Sequence, residues 1–169
     1  MFIEASDIEA ADALADLWVR LADEQRQHGS QLRTEANRET IRESILRAIV
    51  TEGLFVARAE PDDGIDADAG TILGFVMFST ESKSFETTVS RGTIQNLYVR
   101  PEYRNRGIGS ELLDTATAAL EDRGIEVVKL DVMADNEAAA RFYERHGFEP
   151  HRVQLAKRVE SDNHSKDRG

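Results

Sequence analysis

The sequence predicts an α/β fold in one domain. Two amphipathic helical segments come first, then a pair of apolar strands joined by a turn-rich loop, then a strand, a glycine- and arginine-rich loop, a helix and a further strand. The 169 residues suffice for one hydrophobic core, and a 40% hydrophobic share beside 31% charged residues is that of a chain that folds by itself. Residues 1–160 read as a single domain, and Ser161 to Gly169 as a disordered tail.

Composition removes several function classes. There is no cysteine, so disulfide frameworks, thiolate metal sites and an acyl-cysteine intermediate are excluded, and a cytoplasmic location is expected. The N-terminal residues Met1 to Asp7 are acidic where an export signal needs basic residues, and no apolar run reaches membrane-spanning length. Neither export nor a membrane partner is expected. A formal charge of −11 opposes binding to phosphate backbones, which makes nucleic acid a disfavoured partner. The same charge attracts cationic substrates, and it suits a haloadapted source as well as an ordinary solvated acidic surface.

The elements follow in order. Phe2 to Ala5 reads as a short strand, and Ser6-Asp7-Ile8-Glu9 has the spacing of a capping box that starts a helix near Asp7. Ile8, Ala11, Leu14, Trp18 and Leu21 form its apolar stripe, with Trp18 assigned to the core. The polar stretch Glu24 to Thr34 reads as a loop before a second helix that carries Ile41, Ile45, Ala48 and Ile49 and stops at Gly53. Leu54 to Ala59 and Thr71 to Ser79 form a hairpin around Pro61 to Gly70. The aspartates in that loop lack the order and the distal glutamate of a calcium loop and are read as solvated.

Thr93 to Arg100 is a strand in which Ile94 sits on one alternation phase and Leu97 and Val99 on the other. That change of phase predicts a β-bulge near Gln95 and Asn96. A helix from about Gly109 to Arg123, a strand Val127 to Met133, a helix Glu137 to His146 and a final strand His151 to Val159 complete the chain.

Chemistry concentrates in Arg104-Asn105-Arg106-Gly107-Ile108-Gly109-Ser110, between strand and helix. Free amides at a helix start carry partial positive charge, and glycine allows a diphosphate to approach the backbone, so the turn is an anion cradle to which Arg104 and Arg106 can add charge-assisted bonds. The third glycine of a dinucleotide fingerprint is replaced by Leu112, and no Lys-Ser or Lys-Thr pair follows as in a P-loop.

The run Leu97 to Gly109 resembles the acetyl-CoA signature of the GNAT superfamily of N-acetyltransferases, with its Arg/Gln-x-x-Gly-x-Gly/Ala core, and Asn136 to Phe148 resembles the next motif of that family. The likeness runs from about Thr93 to Pro150. It implies a mixed, mostly antiparallel sheet of about six or seven strands, splayed at its centre, with helices on both faces. It also implies acetyl-CoA as co-substrate, with no metal. The pantetheine arm would pair with the backbone of Leu97, Tyr98 and Val99, where an amide polarises the thioester carbonyl, and the diphosphate would sit on Arg104 to Ser110. Asn136 would contact the coenzyme arm while capping its helix, and Tyr143 would protonate the departing thiolate.

The implied reaction is acetyl transfer to a primary amine, on a small molecule or a peptide, by direct attack in a ternary complex; a homodimer is compatible with it. One departure from the pattern matters. Many relatives place a carboxylate in the bulged strand to deprotonate the acceptor, whereas this chain has Gln95 and Asn96 there. Ordered water, Glu81, Glu86 or His28 could take that proton. A non-catalytic acetyl-CoA-binding regulatory domain is the alternative that such a loss would produce.

Overall fold

The computed structural model describes residues 1–30, 33–81 and 89–159. Nine elements position the site: strand β1 (Phe2–Ala5), helix α1 (Ala11–Arg26), α2 (Arg38–Val50), β2 (Leu54–Arg58), β3 (Ile72–Thr80), β4 (Arg91–Val99), α3 (Ile108–Asp122), β5 (Val127–Lys129) and α4 (Glu137–Arg145). The strands lie in chain order in one sheet; the first four pair antiparallel, and β5 pairs parallel to β4.

The sheet is sandwiched by helices because its strands alternate. Leu54, Val56, Phe75, Met77 and Tyr98 join Leu14, Trp18 and Ile45 of α1 and α2 in one core. Ala57, Val76, Phe78 and Ile94 face the other way and meet Leu112, Leu113, Ala116 and Leu120 of α3. Leu14, Ile45, Phe75 and Leu112 are each 0% exposed, and burying such a side chain stabilises the fold by roughly 1.5–3 kcal/mol.

Several expectations need correction. The cap of the first helix is Asp7, not Ser6: its Oδ1 accepts from the Ala10 amide at 3.1 Å, while the Ser6 hydroxyl donates to the Asp7 carbonyl. A 3₁₀ turn, Ile8–Ala10, precedes α1, which moves Ile8 off the apolar stripe and leaves it 62% exposed. At the other end α1 runs on to Arg26, so Glu24 is helical rather than in a loop. Five strands form among the described residues, fewer than the sequence suggested.

The strand expected over Val127 to Met133 stops at Lys129, where its pairing with β4 ends at Thr93, just before the bulge. His151 to Val159 forms no strand, and Val153, Leu155 and Val159 are 79%, 90% and 85% exposed. Alternation there supplies a strand-like face but no neighbouring strand, and Lys157 interrupts it. The expected tail at Ser161–Gly169 lies outside the described residues.

The predicted bulge is present. Met77 pairs with Asn96 and Phe78 with Ile94, so Gln95 is the extra residue. Pairing of β4 with β5 covers only Arg91 to Thr93 and ends just before that point, so the two strands part where the bulge begins.

The aspartate-rich loop is tied down by Asp63. Its carboxylate accepts from the Glu60 and Ile65 amides at 2.8 and 2.9 Å and lies 2.9 Å from the N-terminal ammonium. The Glu60 amide first, then the ammonium and the Ile65 amide hold this carboxyl at about 2. A depressed folded pKa means that the stabilisation is present above the ordinary value of 3.8 and is lost as the pH falls towards about 2. Asp63→Asn should therefore lower Tm at neutral pH yet lose less of its remaining stability than the wild type across that window. Thermal melts at stepped pH check this; parallel declines would refute it.

Candidate active site

The site begins where β4 and β5 separate. Leu97, Tyr98 and Val99 pair with Val76, Phe75 and Gly74 of β3 on one edge, while past Thr93 the edge towards β5 has no strand partner among the described residues. An extended, amide-bearing ligand arm fits such an edge, since it can take up the backbone groups that the missing ladder leaves. Leu97 and Val99 lean on the α3 side and Tyr98 on the α1 side.

The loop after β4 adopts the form that the sequence suggested. Asn105 and Gly107 have φ of +64° and +81°, and Gly107 caps α3 without any side-chain hydrogen bond to its first turn. The amides of Ile108, Gly109 and Ser110 therefore open the helix with no intrahelical acceptor. A Cβ at Gly107 would meet nothing within 4 Å, so the concavity is open to a ligand, as a diphosphate cradle has to be. At Gly109 a Cβ would lie 3.6 Å from the Phe142 ring and 3.7 Å from Val99, ordinary van der Waals contact where α3 meets β4 and α4.

Neither arginine of the loop hangs free. Arg104 donates from Nε to the Val99 carbonyl at 2.8 Å and from Nη2 to both carboxylate oxygens of Glu24, at 3.1 and 2.8 Å. Its guanidinium also stacks 5.4 Å from the centre of the Tyr98 ring, and the Tyr98 hydroxyl donates to Glu24 Oε1 at 3.1 Å. Burial, followed by the Glu24 carboxylate, pushes the Tyr98 hydroxyl up. Arg106 donates to the Gly64 carbonyl at 3.3 Å, which brings the β2–β3 loop beside the cradle.

Across the cleft, Asn136 caps α4 by accepting from the Ala139 amide at 3.2 Å. Tyr143 packs edge-on against Phe142 and Phe148, with ring centres 5.2 and 5.8 Å apart. Burial pushes its phenol up to about 12, and no described residue bonds its hydroxyl. It is thus a proton donor that stays protonated far above neutrality.

Gln95, at the bulge where relatives carry a carboxylate, is exposed; of the residues weighed as bases, Glu86 lies outside the described residues. Glu81 pairs with Lys129, whose ammonium holds its carboxyl below the usual range, which weakens it as a base. His28 Nδ1 lies 3.4 Å from Asp135 Oδ1. Glu24 and Asp135 are site residues that sequence reasoning missed. Glu24 meets a partner 74 positions away, and no local pattern encodes that.

A bulged strand parts from its neighbour beside a glycine-opened helix start, and the comparisons say which family carries this arrangement. The chain matches the profile of the Acetyltransferase (GNAT) family over residues 14–148 and belongs to that family. It is 41% identical over 61 residues to N-alpha-acetyltransferase 30 of Schizosaccharomyces pombe, covering 36% of this chain and 41% of that protein. It is 34% identical over 96 residues to mycothiol acetyltransferase of Propionibacterium freudenreichii, covering 57% of this chain and 27% of that one. The chain thus spans less than half the length of these relatives. The fold matches the PaiA N-acetyltransferase of Thermoplasma acidophilum, solved with coenzyme A, at a TM-score of 0.70 and 22% identity over 90% of this chain and 92% of that one.

Replacing Gly107 with valine should force a β-branched residue into a left-handed backbone and put a side chain where a phosphate oxygen belongs. Acetyl-CoA affinity should collapse while the circular dichroism spectrum and cooperative melting survive. Wild-type affinity by calorimetry in folded Gly107→Val would remove the cradle from the site.

Proposed function

We propose that the chain is an acetyl-CoA-dependent N-acetyltransferase that moves acetyl to a primary amine by direct attack in a ternary complex. The observation that carries this is the β4 edge that has no strand partner among the described residues over Leu97 to Val99 and leads to the open αL turn at Gly107. An unpartnered strand edge suits the amide-bearing pantetheine arm, and an open helix start suits the diphosphate that follows it. The amides of Ile108, Gly109 and Ser110 hold the diphosphate, with Arg104 and Arg106 beside them. Asn105 supplies the second left-handed turn that shapes the loop.

The chemistry divides between the two walls of the cleft. A backbone amide in Leu97 to Val99, at Tyr98 or a neighbour, polarises the thioester carbonyl as an oxyanion donor. Asn136 orients the arm from the α4 side. Tyr143 donates to the sulfur as the carbon–sulfur bond breaks and is reprotonated from water. With no cysteine to carry an acyl group, the amine attacks the thioester itself. The acceptor is a small-molecule or peptide amine, as the names of the two relatives suggest for those proteins. The absence of a carboxylate from the bulge favours one rival, a regulatory domain that binds acetyl-CoA without turnover. Free-thiol release over an amine panel, set beside acetyl-CoA binding, separates the two.

Tyr143→Phe keeps the ring and its contacts but deletes the donor. kcat should fall by about 10²- to 10⁴-fold, nearer the lower end because a thiolate leaves readily, with acetyl-CoA affinity within a few-fold of wild type. Because burial holds the phenol near 12, the wild-type kcat should show no loss from its ionisation up to about pH 10, where a free tyrosine is half ionised. Unchanged kcat with chemistry rate-limiting would contradict the role, and equal losses in binding and turnover would make Tyr143 a pocket wall.

A further inference from the structure

The C-terminal turn of α1 touches both walls of the cleft. Glu24 reaches β4 through the Tyr98 hydroxyl at 3.1 Å and the cradle loop through Arg104. One helical turn later, His28 Nδ1 lies 3.4 Å from Asp135 Oδ1, in the residue next to Asn136 at the start of α4. Gly29 adjoins the same segment, since a Cβ there would stand 3.7 Å from Met133 Cε. The turn therefore spans the gap that opens when β4 and β5 part. It does so from the face covered by α1 and α2, opposite α3. A coenzyme seated on the α3 cradle leaves this as the face from which a second substrate can reach the thioester.

His28 is equipped for proton transfer at that position. Nδ1 lies beside the Asp135 carboxylate, within ion-pair distance when the imidazole is protonated, and no described residue bonds Nε2. The imidazole is half-buried, so it is open to a ligand yet partly shielded from water. The charged and titratable groups on this side are Asp135 from the β5–α4 loop, 3.4 Å from the imidazole, and Glu24 in the last turn of α1, which holds Tyr98 and Arg104 of the β4 side. The usual carboxylate position in β4 holds Gln95, and Glu81 is bound to Lys129. His28 is the remaining described candidate base.

We propose that His28, oriented by Asp135, is the general base that deprotonates the acceptor ammonium at the α1 side of the cleft, and that the acceptor is a cationic amine. The inference rests on the N-acetyltransferase reading. The protons balance as follows. His28 Nε2 takes one proton from R–NH3⁺, and the neutral nitrogen attacks the thioester carbon. The carbon–nitrogen bond forms and the carbon–sulfur bond breaks. The second nitrogen proton offsets the one delivered to sulfur, and His28 returns its proton to solvent. The products are the amide, the free thiol of coenzyme A and one proton. Asp135 is a positioning residue.

The test is the pH profile of kcat/KM with the best substrate from spermidine, an alanine-initiated peptide and glucosamine, alongside calorimetric acetyl-CoA affinity. The wild type should show an acid limb. In His28→Gln, kcat/KM near neutrality should fall by about 10²- to 10⁴-fold with coenzyme affinity unchanged. The deficit should shrink to a few-fold at a pH where the free amine predominates, because no base is then needed. In His28→Ala, added imidazole should restore part of the rate. Asp135→Asn should lower the kcat/KM plateau, and Asp135→Glu should recover part of it. A wild-type profile in His28→Gln, or a deficit that persists at high pH and resists imidazole, would overturn the proposal while the transferase reading stands. Absence of thiol release by the wild type with every amine would overturn both.

Discussion

The structure turns on one interruption of hydrogen bonding. A single extra residue at Gln95 rotates β4 out of register, and its pairing with β5 lasts only from Arg91 to Thr93. The candidate site is built around that break. The backbone of Leu97 to Val99 keeps β3 on one edge but is left without a strand on the other. In a closed sheet those groups would be spent on a ladder. The cost of the lost bonds is offset by two cores, one on each face, that hold the central strands with fully buried Phe75, Val76, Leu54 and Leu112.

Glycine enforces the same geometry from the other side. A Cβ on Gly74 would stand 2.4 Å from the Tyr98 carbonyl oxygen, so β3 can approach β4 as it does only without a side chain there. The strand that carries the site is thus clamped from below while its outer edge is left open. A rigid strand beside an empty edge is what a ligand that binds as an extra strand requires.

Much of this was legible in the sequence. The alternation phases of Ile94, Leu97 and Val99 located the bulge, because a one-residue slip leaves a mark in any period-two pattern. Gly107 marked the left-handed cap, and Asn136 the N-cap of α4. What could not be read was tertiary. Val127 to Met133 and His151 to Val159 carry strand-like alternation, but strand formation needs a partner, and partnership is decided by where β4 turns. Arg104 looked like a phosphate ligand from its neighbours, yet it spends Nε and Nη2 on Val99 and Glu24. Asp135 gave no signal, since a carboxylate beside an N-cap is ordinary until a histidine more than a hundred residues earlier is folded against it.

The accounting of donors on Arg104 has a thermodynamic consequence. A guanidinium has five N–H groups; those on Nε and Nη2 go to protein acceptors, which leaves the pair on Nη1 for an incoming anion. An anion can be received without releasing Glu24, so the far wall of the cleft need not be assembled at the moment of encounter. The ordering entropy of that wall was lost when the chain folded. Binding an anion there then requires less reorganisation of the protein.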